Sequence, residues 1–149
     1  MGGLDDLYQE IILDHYRNQR NTGRLDDATV AVDQNNPLCG DEIHLELHID
    51  DGRLTEVAHS GEGCSISQSS ASMMSEALAG KTEDEALDLV EHFRLVMHGE
   101  QDADEDRLGD AIALEGVAKY PVRIKCALLS WMAAKDAILT HRSGDQTGG

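Results

Sequence analysis

Leu4, Leu7, Tyr8, Ile11 and Ile12 recur at the spacing of one helix face and predict an amphipathic helix over residues 4–17. The polar run from Asn18 to Asp27 carries no apolar period and reads as a loop. "ATVAV" (28–32) is a short β-prone run. "EIHLELHI" (42–49) alternates strictly, with Ile43, Leu45, Leu47 and Ile49 on one face of a strand and His44 and His48 on the other, toward solvent. "DDG" at 50–52 is a hairpin signal, and a second strand follows from Arg53 to about Ser60. These segments predict a small antiparallel sheet.

The period then changes. Ser65 followed by Gln68 fits a capping box, predicting a helix from about Ile66 to Leu78 that stops near Gly80. Thr82 with Glu85 repeats the signal, and Ala86, Leu89, Val90, Phe93, Val96 and Met97 form the apolar stripe of a helix ending near Gly99. The next stretch is loop-like and turns helical from Arg107. Pro121 is placed to open a last helix running to about Thr140, and residues 143–149 read as a disordered tail. Strands first and helices afterwards make the fold class α+β: about three strands packed against an N-terminal helix and several C-terminal helices. Residues 1–142 read as one domain, with no internal repeat and no dividing linker.

Charge narrows the function. Twelve basic residues against twenty-nine acidic ones give a net charge of −17, which repels phosphate backbones and anionic lipid. Five aromatic residues in 149 leave little for base stacking. Nucleic acid and membrane are therefore poor partners. No run approaches the roughly 18 apolar residues of a membrane span, and the opening lacks a secretory signal, so the expected location is cytoplasmic. Eleven acids and two bases between Thr82 and Asp110 read as a solvated acidic surface.

The chemistry sits on three cysteines, an odd number that cannot all pair within the chain. Cys39 lies in "NNPLCGDEI", ahead of the first long strand; Cys64 lies in "GEGCSIS", just before a helix; Cys126 lies in the second turn of the last helix. No CxxC knuckle is present, and buried cysteines also serve as small core residues, so spacing alone does not decide their use. Local context favours chemistry. Glycine and proline around Cys39 and Cys64 shape backbone rather than fill a core. A helix N-terminus beside Cys64 favours thiolate, as do Arg123, Lys125, Lys135 and Arg142 on the helix of Cys126. Three thiolates and one carboxylate at Cys39, Asp41, Cys64 and Cys126 would complete a tetrahedral Zn²⁺ site, although thiolate-rich sites also suit iron–sulfur clusters. Gly40 permits the tight turn that brings residues 39 and 41 to one ion. The histidines read as surface or core residues: His59 as near the site but not a ligand, and His15, His92, His98 and His141 as lacking partners at metal spacing. The serines at 65, 67, 69, 70, 72 and 75 read as capping and close helix packing. A structural zinc module that docks a partner is a further reading of the same residues, whereas a cysteine hydrolase lacks an assignable base or oxyanion device.

"NPLCGD", "GEGCSIS" and "YPVRIKCALLSW" resemble the three cysteine motifs of the U-type iron–sulfur cluster assembly proteins, the IscU, NifU N-terminal and SufU group. The likeness runs over residues 4–142 and includes "LYQEIILDHYRN". Scaffold-type members carry a histidine where this chain has Lys125, and a chaperone-binding "LPPVK"-like motif that "KYPVRIK" does not reproduce. The acidic segment between Cys64 and Cys126 resembles the insertion of the SufU branch. The resemblance implies an IscU/NifU-like fold and a zinc-dependent sulfurtransferase. Such a protein accepts persulfide sulfur from a SufS-type, pyridoxal-phosphate-dependent cysteine desulfurase and passes it to downstream iron–sulfur assembly proteins. It implies Cys39, Asp41, Cys64 and Cys126 as ligands, Cys39 as sulfur acceptor, a partner histidine that replaces Cys39 on the zinc, and Arg123 as an aid to the interface. The alternative it carries is a scaffold that builds and transfers a [2Fe–2S] cluster on the same residues.

Overall fold

The computed structural model describes residues 3–37 and 40–143, with side chains from Leu7 onward. Helix α1 (Gly3–Arg17) precedes strands β1 (Val30–Asn36), β2 (Asp41–Asp50) and β3 (Arg53–Glu62). Helices α2 (Ser65–Leu78), α3 (Glu83–Met97) and α4 (Glu105–Leu108) follow, then a 3₁₀ stretch (Gly109–Lys119) and α5 (Pro121–Ser143). The class is α+β, with a three-stranded antiparallel sheet in the order β1-β2-β3.

Strand β2 is the middle of the sheet, pairing Val30 with Leu47 on one side and Leu47 with Val57 on the other. Its apolar face, Ile43, Leu45, Leu47 and Ile49, is buried beneath the helices. Asp51 and Gly52 both take left-handed backbone at the β2–β3 hairpin, with φ of 54° and 76°, the twist that a two-residue connection demands. The outer face of β2 departs from simple alternation. Glu46 is buried there because the loop after α1 folds over it: the Leu25 N–H donates to Glu46 Oε1 at 2.8 Å, and Arg24 approaches Oε2 at 3.3 Å. His44 is half-buried rather than free in solvent, since its ring lies between Asp33 Oδ1 (2.8 Å) and Glu46 Oε2 (2.7 Å). Strand β1 is longer than the apolar run 28–32 suggests and is shifted toward the C-terminus. Backbone pairing with β2 carries the polar residues Asp33 to Asn36, which side-chain propensity disfavours in a strand. Strand β3 likewise continues to Glu62, held by its pairing with Glu42.

The helices cover the apolar side of the sheet. Helix α5 crosses β1 and β2 and packs on α2 and α3, and Phe93 of α3 stacks on Trp131 of α5 with ring centroids 4.2 Å apart. Helix α2 sits deepest. Ser69, Ser70, Ser72 and Ser75 are fully buried on it, and their small side chains allow neighbours to approach while finding oxygen or nitrogen partners of their own. Ser70 Oγ donates to the Ala127 carbonyl at 2.6 Å and accepts from Trp131 Nε1 at 2.9 Å. The capping box at Thr82 and Glu85 is present in full. The one expected at Ser65 is not: α2 begins one residue earlier and its N-cap is Cys64. Helix α5 runs through Ser143, so the tail expected over 143–149 loses its first residue to the helix, and its remainder lies outside the described residues. Among the described residues, no helix is long and apolar enough to cross a membrane.

Candidate metal centre

Asp41 is the first residue of β2, and Cys64 lies two residues beyond the end of β3. The β2–β3 register brings both to one end of the sheet. Helix α5, crossing that end, adds Cys126 from its second turn. One ligand atom from each of Asp41, Cys64 and Cys126 lies within 4.8 Å of the other two. Asp41 is fully buried, Cys126 is buried and Cys64 is exposed. The cluster is therefore an interior carboxylate and thiol with one thiol at the surface.

Local geometry holds these groups, Cys126 Sγ donating to the Val122 carbonyl at 3.9 Å. The Cys64 N–H donates to Asp41 Oδ1 at 3.0 Å. Asp41 Oδ2 is buried and has no hydrogen-bond partner among the described residues, a position that costs a carboxylate on the order of several kcal/mol unless a cation or a further donor meets it. Cys64 Sγ accepts the Ser67 N–H at 3.5 Å as the N-cap of α2. Gly63 is required by closeness: a Cβ there would stand 2.5 Å from Asp41 Oδ1. Gly40, at φ 73°, turns the chain into β2, and its N–H donates to the Asn36 carbonyl at 2.8 Å across the loop that contains Cys39. The donor set, two thiols and a carboxylate oxygen with no hydrogen-bond partner among the described residues, fits a thiophilic dication such as Zn²⁺.

Of the residues singled out in the sequence, Asp41, Cys64 and Cys126 come together and Cys39 lies outside the described residues. Arg123 is exposed and is not part of the cluster. It lines an open groove of about 640 Å³ together with Tyr8, Ile12, Leu13, Ile66 and Tyr120. Lys125, next to Cys126 in sequence, is also exposed. His59 is buried, donates from Nε2 to the Arg20 carbonyl at 2.8 Å, and its pKa is pushed down by that burial. It pins the loop after α1 to the edge of β3 rather than joining the thiols.

Of the histidines expected to lack partners at metal spacing, His15 is brought beside two carboxylates, whereas His92 joins no such group among the described residues. His92 bonds Gln101 Oε1 and accepts the Asp104 N–H, fixing the chain beyond α3. His15, fully buried on α1, meets Glu76 of α2 and Asp110 of the 3₁₀ stretch. Its partners are 61 and 95 residues away in the chain, so no local spacing could reveal them.

In this α+β domain a buried carboxylate and two thiols converge at one sheet end, a group that could hold a metal ion. Residues 7–140 match the family model described as the NifU-like N-terminal domain, and the chain belongs to this family. It is 46% identical over 142 residues to a protein of Bacillus subtilis named zinc-dependent sulfurtransferase SufU, covering 95% of this chain and 96% of that one. It is 42% identical over 135 residues to a protein of Streptococcus pyogenes named iron–sulfur cluster assembly scaffold protein IscU, covering 91% of this chain and 84% of that one. The crystal structure of the N-terminal part of a NifU-like protein from Brucella abortus superposes with a TM-score of 0.86 at 28% identity, covering 94% of this chain and 97% of that one.

Proposed function

We propose that the protein is a zinc-dependent sulfurtransferase of iron–sulfur cluster biogenesis, taking persulfide sulfur from a SufS-type cysteine desulfurase. The observation that carries this reading is the convergence of Asp41, Cys64 and Cys126 around a buried carboxylate oxygen that has no hydrogen-bond partner among the described residues. The similarity to the B. subtilis protein and the presence of Lys125 in place of histidine support this branch of the family.

Cys39, Asp41, Cys64 and Cys126 would hold Zn²⁺, which when bound keeps thiols ionised near neutral pH without contributing redox chemistry. Asp41 and Cys126, both buried, supply the fixed part of the site. Cys39 belongs to the loop joining β1 to β2 and is the acceptor. Its thiolate attacks the outer sulfur of the partner's cysteine persulfide, a new S–S bond forms on Cys39, the donor's S–S bond breaks, and the donor cysteine leaves as thiolate. Sulfur moves with no net oxidation or reduction. Arg123, exposed beside the groove, offers a positive charge to the docking partner.

Desulfurase turnover with the wild-type protein and with Cys39→Ala tests the assignment. Stimulation by the wild type alone, with one added sulfur atom on Cys39 by mass spectrometry, is expected; equal stimulation by both proteins removes the acceptor role. The second reading, a scaffold for a [2Fe–2S] cluster, is favoured by the scaffold names of the S. pyogenes relative and of a Thermotoga maritima relative at 39% identity. Anaerobic reconstitution separates the two: a stable stoichiometric cluster that displaces zinc and transfers to an apo-protein supports the scaffold.

A further inference from the structure

We propose that His15, Glu76 and Asp110 form a second divalent-cation site, built of nitrogen and oxygen donors and separate from the thiolate cluster. His15 Nε2 lies 2.9 Å from Asp110 Oδ2 and 3.7 Å from Glu76 Oε1, and one donor atom from each residue falls within 4.8 Å of the others. An ion about 2.1 Å from each donor sets neighbouring donors about 3.0–3.4 Å apart. The two distances from the imidazole bracket that range.

The imidazole is prepared for the role. His15 is fully buried, and its Nδ1 lies 2.8 Å from Ser72 Oγ, itself fully buried. Without an ion, Nε2–H donates to Asp110 Oδ2 at 2.9 Å; binding a cation requires that proton to leave, after which Nδ1–H donation to Ser72 would turn the Nε2 lone pair toward the carboxylates, as an outer hydrogen bond does for a metal-binding histidine. Ser72 Oγ is held in turn by the Arg20 N–H at 2.9 Å. The two carboxylates are the mobile half, with 44% and 52% of their side-chain surface exposed. Both line an open cavity of about 320 Å³, wide enough for a hydrated ion to approach.

The surrounding charge favours a dication. Arg20 is shared by Asp14, which it pairs with at 2.7 Å, and by the far oxygen of Glu76 at 3.7 Å. Glu76 Oε1, the oxygen nearer His15, is left to the site. Two further cations line the cavity: Lys81, and Arg107, which pairs with Asp88 at 2.5 Å. Glu76 lies twelve residues after Cys64, at the far end of α2, about 18 Å along a helix rising 1.5 Å per residue. One nitrogen and two carboxylates suit Mn²⁺, Fe²⁺ or Zn²⁺, whereas the thiol cluster selects softer ions. An ion here would tie α1, α2 and the 3₁₀ stretch together through one atom.

Manganese is the discriminating probe because, as a hard ion, it prefers oxygen and nitrogen to thiolate. Mn²⁺ is added to the full-length protein carrying no more than one equivalent of zinc per chain, with free zinc removed, and followed by loss of the free-ion paramagnetic resonance signal. One bound Mn²⁺ per chain is expected, weakened by about tenfold or more in Asp110→Asn and in Glu76→Gln. Both residues are exposed enough to be changed without emptying the core, and circular dichroism verifies the fold. Mn²⁺ should also raise the melting temperature of the wild type and leave that of Asp110→Asn unmoved. No Mn²⁺ uptake, or uptake that both variants retain undiminished, overturns the proposal and leaves the three residues as a hydrogen-bonded clamp.

Discussion

The backbone N–H of Cys64 holds one oxygen of Asp41 at 3.0 Å, while the other oxygen of that buried carboxylate has no hydrogen-bond partner among the described residues. One cysteine thus aims the carboxylate with its amide and sets its own sulfur within 4.8 Å of it. Orientation and a candidate donor atom come from a single residue.

Asp41→Ala should cut metal content from about one zinc per chain to a small fraction, by elemental analysis of protein purified without chelator. Because binding energy at such a site is also folding energy, stability should fall by more than about 2 kcal/mol in urea denaturation. Full zinc retention in the variant would exclude Asp41 as a ligand.

Gly63→Ala introduces a methyl group 2.5 Å from Asp41 Oδ1. The carboxylate must move or the turn must open, and the expected result is zinc affinity reduced about 10–100-fold with the circular-dichroism spectrum preserved. Competition with a chromogenic chelator measures it.

Two histidines should tilt stability with pH in opposite directions. The His44 pKa is raised, chiefly by its hydrogen bond to Glu46 and then by Asp33. Its contribution is fully present below about pH 6.5, the unfolded value, and is lost as pH rises through the higher folded value. The His59 pKa is lowered by burial. Above about pH 6.5 it contributes nothing, and as pH falls below that value the unfolded chain takes up the proton first and stability drops. Urea midpoints from pH 5 to 8 should therefore show that His44→Gln loses stability mainly at the acid end. His59→Gln should flatten the acid decline; an unchanged slope in either variant would contradict the assignment.

Trp131 stacks on Phe93 and bonds Ser70, joining α5, α3 and α2. Trp131→Ala should cost about 3–5 kcal/mol, read by circular dichroism because the only tryptophan is removed.

Thr82→Ala removes the oxygen that accepts the Glu85 N–H at 3.1 Å. A loss of about 1 kcal/mol in urea denaturation is expected, with metal content unaffected.

Much of this molecule is legible in the chain because its elements are locally coded. The alternation of Ile43, Leu45, Leu47 and Ile49, the Asp51–Gly52 turn, the Thr82–Glu85 box and Pro121 each state their structure within a few residues. The polar end of β1 is not legible, since Asp33 to Asn36 become strand only by pairing with β2. Nor is the cap of α2: cysteine is a weak acceptor, and nearby serine offered the commoner choice. At the candidate site, the residues are legible through their motifs, while their approach depends on α5 crossing the sheet end. The His15 cluster escapes entirely, because three helical segments must dock before its members share a neighbourhood.

The donors of the thiolate cluster are far apart in the order of synthesis. Asp41 and Cys64 leave the ribosome early, and Cys126 emerges only after α3 and the 3₁₀ stretch have been made. A nascent chain that has finished its sheet therefore holds only two of the three converging donors. The last helix closes the group: Cys126 joins Asp41 and Cys64 only once α5 has packed across the sheet.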